Sequence, residues 1–150
     1  MVTRRRLVIS LTAIGFASPF GAFADPALGC LPRERIECGC TVRLPGFACH
    51  HLYSGLADGS PLWIVLDGRE TELESSRPAS QSFSFSRGDS WSEKYVGQGV
   101  SVAVSYRPGS NTCRKPPPET CEYFDVRAVV TLERNGHAPL RYEGVGACGC

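Results

Sequence analysis

Apolar residues recur at every second position along much of this chain, and this period of two predicts β-strands. A continuous apolar run covers 62–66, and 69–73 alternates behind the dipeptide Asp67-Gly68. Because Asp-Gly accepts the positive φ angles of a two-residue turn, these runs are predicted to pair as a β-hairpin. Further alternating runs occupy 82–86 and 100–106. Each suits a sheet with one packed face and one wet face.

The longest alternating run has apolar side chains at the even positions of 124–132, and the turn signal Asn135-Gly136 follows it. A one-residue slip would turn every side chain to the other face, so burial of the apolar face selects the register. A three-residue loop sets Val130 opposite Leu140, whereas a two-residue loop sets Val130 opposite Arg141. The first register is therefore predicted.

No long stretch repeats with the helical period of 3.6, so six to eight strands are expected. Residues 45–60 are ambiguous, with one helical turn expected over 49–56. The glycines and prolines of 25–36 and 107–121 are typical of loops. The predicted fold class is all-β: a small antiparallel β-sandwich or partly open barrel, stapled by disulfides.

Residues 1–24 have the layout of an export signal peptide, and 25–150 is predicted to be a single disulfide-rich β domain. Three arginines precede an apolar run over 7–20, and Ala22-Phe23-Ala24 offers a small-x-small cleavage site. The arginines also resemble a twin-arginine export motif, so both that route and the general secretory route stay open. A periplasmic or secreted protein with no membrane span after cleavage is expected.

Net charge narrows the classes of partner. Three of the 16 basic residues lie in the predicted signal peptide and all 15 acidic residues follow it, so the mature chain has a net charge of about −2. A nucleic-acid binder is expected to carry a clear basic excess, which argues against nucleic acid as a partner. The expected partner is a protein or an envelope polysaccharide.

Eight cysteines, an even number, lie in the predicted mature part and favour four disulfides in an oxidising compartment. Two Cys-Gly-Cys segments lie near its two ends, and on extended strands each would project both sulfurs to one face. A double bridge between these segments leaves two local bridges, Cys30 to Cys49 and Cys113 to Cys121. The full set is Cys30, Cys38, Cys40, Cys49, Cys113, Cys121, Cys148 and Cys150.

The alternative use of these sulfurs is metal binding. Four inward thiolates from two Cys-Gly-Cys segments suit zinc or copper(I), and Cys49-His50-His51 is a second cluster of ligand types. The spacing differs from the Cys-x-x-Cys of structural zinc sites, and an oxidising compartment favours disulfides. No metal and no cofactor is therefore predicted.

The segment 113–121 combines a predicted nine-residue disulfide ring with Arg114, Lys115 and three prolines. In ring size, early lysine and later proline it resembles the reactive loop of Bowman-Birk serine-protease inhibitors. The resemblance covers nine residues and implies that Lys115 is presented to a protease. Pro116 stands where that family has Ser. The alternative is that prolines and a bridge stiffen a long connection.

Aromatic side chains offer a second candidate binding surface. Trp91 and Tyr95 share strand parity with Glu93, which predicts a mixed aromatic and acidic face suited to sugars. The alternative is burial of these rings in the core.

The leading functional hypothesis is a non-enzymatic exported binding module, either an inhibitor or an envelope ligand binder. In size, compartment and strand content the chain resembles small β-rich periplasmic lysozyme inhibitors. The alternatives are a metal-binding protein and a small secreted hydrolase. A hydrolase would draw on the polar side chains of Ser90, His50, His51, Asp58 and Asp89.

Overall fold

The structure, a computed structural model, describes residues 28–33, 38–55, 59–77, 90–109 and 123–149. Within these ranges it contains nine β-strands. They are β1 (Leu28–Gly29), β2 (Gly39–Arg43), β3 (Leu52–Gly55), β4 (Leu62–Leu66), β5 (Arg69–Ser75), β6 (Trp91–Gly97), β7 (Val100–Pro108), β8 (Tyr123–Arg134) and β9 (Leu140–Gly149).

Strands β2 to β9 form a closed antiparallel barrel of eight strands. Each strand pairs with the next one along the chain, and β9 returns to pair with β2. The short β1 is an extra strand that pairs with Val65 and Leu66, beyond the Leu62–Ile64 segment that β3 covers. The predicted all-β antiparallel class is confirmed, with the barrel closed. Closure leaves β2 to β9 paired on both sides.

Tight turns join several of the sequential strands. Asp67 and Gly68 both have positive φ, and Leu66 pairs with Arg69, which confirms the hairpin predicted from the sequence. Gln98-Gly99 makes the same kind of turn between β6 and β7. Residues 52–55, within the segment where a helical turn was expected, form β3 instead. Their side chains are needed to continue the buried inner face of the barrel.

The predicted register of the C-terminal hairpin was wrong by two residues. Val130 lies opposite Tyr142, and Leu140 lies opposite Leu132. The inward parity is retained, because a shift of two keeps every side chain on its face. Gly136 does have positive φ, but the amide of His137 bonds to the carbonyl of Arg134, and Pro139 cannot donate to the ladder. Pairing therefore begins only at Leu140.

The barrel interior is filled by the inward residues of every strand. Even-numbered residues of β7 and β8 are buried at nearly every position, as the period-two pattern predicts. Eight-stranded barrels have an interior just wide enough for side chains to fill. The largest buried side chains here are Tyr95, Tyr106, Leu52, Leu62, Ile64, Leu73 and Leu132.

Two disulfides join described cysteines. Cys40–Cys148 links paired positions of β2 and β9 inside the barrel and closes it covalently across 108 residues. Cys30–Cys49 is the local bridge predicted from the sequence. Cys38 is also disulfide-bonded. The Cys113–Cys121 pairing, the strand predicted over 82–86, the signal peptide and Cys150 lie outside the described residues.

The disulfides indicate that the chain folds in an oxidising environment. The described part of the chain contains no helix with the length and apolar character needed to cross a membrane.

Candidate functional site

Three arginines form a row on the outer face of the barrel. Arg107 on β7 lies opposite Arg127 on β8, Arg127 lies opposite Val145 on β9, and Val145 lies opposite Arg43 on β2. All four side chains are exposed. Since neighbouring strands are about 4.8 Å apart, the row spans about 14 Å across four strands. We call these four residues the arginine row.

Arg107 and Arg127 lie directly opposite each other and repel each other. Like charges directly opposite each other on paired strands are destabilising. Among the described residues, Arg107 and Arg127 make neither an ion pair nor a side-chain hydrogen bond. The nearby Arg141 differs, because its guanidinium lies 3.4 Å from the carboxylate of Glu143. The uncompensated charge is therefore concentrated on Arg107 and Arg127.

A groove of about 680 Å³ lies beside the arginine row. Its lining includes Ser92 and Ser105, whose hydroxyl oxygens are 2.7 Å apart. Arg107 and Arg127 line it. We call this cavity the outer groove. Its volume falls within the range of about 300–1,000 Å³ found for ligand pockets.

A second cavity of about 500 Å³ adjoins the outer groove, and the two share Arg127 and Val145 as lining residues. It also contacts Arg43, His50 and Asp125. Burial, followed by the charges of Arg43 and Arg33, lowers the pKa of His50 below its usual value. His50 is therefore predominantly neutral at pH 7. Its Nδ1 is buried without a hydrogen-bond partner.

The close approach of β9 to β2 beneath this surface depends on glycine. A Cβ on Gly146 would lie 1.7 Å from the backbone oxygen of Thr41, so no other residue fits there without moving a strand. Gly144 is similarly restricted by the backbone of Arg43. The Gly-Val-Gly sequence thus lets β9 present Val145 outward between two cavities while its backbone stays against β2.

Trp91 lies on the inner face of β6, where its ring is held by aromatic packing. Its ring stacks on that of Tyr106, with centroids 4.9 Å apart and planes 20° apart, and meets Phe124 edge-on at 6.1 Å. Trp91 is only partly buried, so part of its indole remains accessible. Stacking of this kind fixes the orientation of the ring.

The other predicted aromatic residue, Tyr95, lies on the same face but is more deeply buried. Tyr95 shares the inner face of β6 with Trp91 and Glu93, in agreement with the predicted parity, but it is only 1% exposed. Its hydroxyl donates a hydrogen bond to the Glu93 carboxylate. Burial, reinforced by Tyr106 and Glu93, raises the pKa of Tyr95 far above its usual value. Tyr95 therefore belongs to the core, and Trp91 lies on the same inner face, opposite the face that carries Ser92 and Ser105.

The residues weighed for a hydrolase are not brought into one described site. Ser90 lines the outer groove, while His50 lines the second cavity. His51 is fully buried, and its Nδ1 accepts a hydrogen bond from the Leu44 amide. Asp58 and Asp89, as well as Arg114 and Lys115 of the predicted reactive loop, lie outside the described residues.

The described cysteines that were candidate metal ligands form disulfides. Cys40 and Cys148 of the two Cys-Gly-Cys segments are bonded to each other. The sulfurs of Cys30 and Cys49 lie within 4.8 Å of the His51 ring nitrogen that would bind a metal, but they too are bonded to each other. Cysteine binds a metal as a thiolate, and a disulfide has none. Neither pair of cysteines therefore offers metal ligands in this state.

Acidic side chains collect on a different part of the barrel surface. Glu70, Glu72 and Glu74 alternate outward along β5 and are exposed. In the sheet order, β5 is separated from β8 by two strands and from β7, which carries Arg107, by β6. Carboxylates also occur near the arginines, because Asp125 lines the second cavity and Glu143 lines the outer groove.

The arginine row escaped prediction from the sequence because its members come from three distant segments. The only sequence signal is that each arginine occupies an outward position of an alternating strand. Pairing registers are needed to bring the three together. Comparison of the chain with protein families, with curated proteins and with solved structures gave no match.

Proposed function

We propose that this protein is a non-enzymatic binding module of the periplasm or the cell exterior, whose outer groove binds an anionic ligand. The observation that carries the proposal is the arginine row. Two of its arginines lie directly opposite each other with no carboxylate partner among the described residues, beside a cavity of ligand size. The fold itself gains nothing from that arrangement.

Arginine suits this task chemically. Its planar guanidinium stays charged at all relevant pH values and presents a fork of donors that matches a carboxylate or phosphate. Arg107 and Arg127 on neighbouring strands can contact adjacent anionic groups of one ligand, and Arg43 extends the contact toward the second cavity. An anionic ligand would relieve the mutual repulsion, so binding and charge compensation act in the same direction.

A binding role is favoured over catalysis by the chemistry of the lining residues. Ser90 has an exposed position at the groove, while the two histidines that would activate a hydroxyl lie in the second cavity or in the buried interior. Nucleophilic catalysis needs the nucleophile and its base within hydrogen-bond reach. The rigid disulfide-closed barrel is instead suited to presenting a fixed surface.

The test is calorimetric binding of anionic polymers to the oxidised protein. The set comprises polygalacturonate, poly-L-glutamate and dextran sulfate, with neutral dextran as the control ligand. We expect at least one anionic polymer to bind, with affinity that falls as salt concentration rises. The double variant Arg107→Gln/Arg127→Gln should lose at least about tenfold, since a charged hydrogen bond contributes about 1.5–3 kcal/mol.

The matched control is Arg69→Gln, which removes an exposed arginine from β5 on another part of the barrel. Its affinity should equal that of the wild type. The proposal fails if no anionic polymer binds, or if the double variant and the Arg69 variant bind equally well.

A further inference from the structure

We infer that the Cys30–Cys49 bridge is a thiol–disulfide exchange site, at which an incoming thiol forms a mixed disulfide with Cys30 and releases Cys49 as a thiolate. Three residues meet there: Cys30 is exposed, Cys49 is half-buried and His51 is buried. None of the three lines the outer groove, so this activity is separate from anion binding.

The two described bridges differ in their accessibility to a thiol. Cys40 and Cys148 are 7% and 0% exposed inside the barrel, whereas Cys30 lies at the surface. Exchange begins when a thiolate reaches one sulfur of a disulfide, so access selects this bridge and, within it, Cys30. Opening Cys30–Cys49 leaves the barrel closed by Cys40–Cys148, so the reaction can take place in the folded protein.

His51 supplies a donor beside the sulfur that leaves. Its Nδ1 accepts a hydrogen bond from the Leu44 amide at 3.3 Å, which in the neutral ring puts the proton on Nε2. This Nε2 lies 4.0 Å from the sulfur of Cys49. A hydrogen-bond donor favours the charged thiolate, and a better-stabilised thiolate leaves faster. The same proton occupies the lone pair that a metal ion would need.

The reaction balances with two thiols as co-reactants. The first thiolate bonds to the sulfur of Cys30 while the disulfide bond breaks, and the electron pair of that bond leaves with the sulfur of Cys49. A second thiolate then attacks the incoming sulfur, which releases Cys30 as a thiolate and joins the two external thiols as a disulfide. The bridge is thereby reduced and the two thiols are oxidised.

The opened cysteines stay close together, which makes the exchange reversible. The amide of Leu31 donates a hydrogen bond to the carbonyl of His50 at 2.8 Å, and the Leu31 side chain is only 6% exposed. These contacts hold the residue after Cys30 against the residue after Cys49. Attack of the Cys49 thiolate on a mixed disulfide at Cys30 is therefore intramolecular and favoured.

The test is reaction of the oxidised full chain with excess reduced glutathione at neutral pH. Iodoacetamide stops the reaction at timed intervals, and peptide mapping by mass spectrometry identifies the modified cysteines. We expect glutathione on Cys30 and the alkyl group on Cys49. The Cys40–Cys148 bridge should open at least about 100-fold more slowly, because it needs opening of the barrel.

Three results would overturn the inference. They are glutathione attached to Cys49 in place of Cys30, equal opening rates of the two bridges, and no opening of either bridge under conditions that open both in urea. The wild-type protein alone decides among these outcomes.

The role of His51 is tested by two substitutions of different length. His51→Asn keeps an acceptor near the Leu44 amide but removes the donor at Nε2, whereas the longer side chain of His51→Gln can restore that donor. Asparagine should slow opening of Cys30–Cys49 at least about fivefold, with glutamine between the two. His50→Asn is the matched control and should react as the wild type does. A folded His51→Asn variant, verified by its melting curve, that opens at the wild-type rate would remove His51 from the site.

Discussion

Replacing Arg127 by glutamine should separate the stability of this protein from its binding. The guanidinium of Arg127 lies opposite that of Arg107 and has no carboxylate partner among the described residues. Glutamine keeps a polar side chain of similar length but removes the charge. We therefore expect a variant that is as stable as the wild type or slightly more stable, and that binds anions poorly.

The magnitude follows from Coulomb's law. Two like charges about 7 Å apart in water repel by about 0.6 kcal/mol. At physiological ionic strength the Debye length of about 8 Å reduces this to about 0.25 kcal/mol. Removing the repulsion should thus raise the free energy of unfolding by about 0.5 kcal/mol at 0.01 M salt and by about half of that at 0.15 M. The loss of one charged hydrogen bond should weaken anion binding tenfold or more.

The assay is urea unfolding at 0.01 M and 0.15 M salt, together with calorimetric titration of an anionic polymer. Arg141→Gln is the matched control for stability, because that guanidinium pairs with Glu143 in an exposed ion pair. Exposed pairs contribute about 0–1 kcal/mol, so this variant should be unchanged or slightly less stable. The two substitutions are therefore expected to shift stability in different directions.

A loss of more than about 1 kcal/mol in Arg127→Gln would refute the reasoning, since the arginine would then stabilise the fold. Unchanged stability together with unchanged anion affinity would also contradict the prediction. The charge of Arg127 would then neither repel Arg107 measurably nor bind the anion.

Three further outcomes follow from the barrel interior. Replacing Cys40 and Cys148 by alanine should lower the free energy of unfolding by at most about 5 kcal/mol in the chain-entropy model, because Cys38 stays disulfide-bonded and the predicted second bridge would close nearly the same loop; urea unfolding measures the loss. Burial raises the pKa values of Tyr95 and Tyr106. Their neutral side chains therefore stabilise the fold fully below pH 10, and this stabilisation is lost as pH rises further. Ultraviolet titration should show both hydroxyls protonated until the protein unfolds. The pKa of His51 is lowered by burial, so stability should fall as pH drops below 6.5, and proton-coupled unfolding measured between pH 5 and 7 checks this.

Much of the fold could be predicted because buried and exposed side chains alternate regularly along the strands. The alternation along β7 and β8 identified which side chains fill the interior, and Asp67-Gly68 identified a turn from its backbone requirement alone. Sequence could not distinguish a sandwich from a barrel. That choice depends on whether the first and last strands meet, and β2 and β9 are separated by about 100 residues of chain.

The site could not be predicted, because it depends on pairing registers. In the register predicted for the C-terminal hairpin, Arg127 would face Glu143 and its charge would be neutralised. In the structure Arg127 faces Val145 instead, and Glu143 pairs with Arg141. A shift of two residues preserves the buried pattern, which is why hydrophobicity did not reveal it. The shift nevertheless changes the outer surface from a compensated pair to an unpaired cation.

Trp91 illustrates a second limit. Parity placed it with Tyr95 and Glu93 on one face, and the structure agrees. Strand alternation cannot show which residues of an inner face lie near an open border. Trp91 begins its strand and remains partly exposed, whereas Tyr95, four residues later, is enclosed.

The most direct test of the central claim is to locate the bound anion on the molecule. Backbone amide and arginine side-chain NMR signals of the oxidised protein should be followed during titration with polygalacturonate. Signals of Arg107, Arg127 and Val145 are predicted to shift together, while those of Glu70 and Glu72 on the acidic strand stay in place. Shifts confined to other surfaces, with the arginine signals unchanged, would contradict the account.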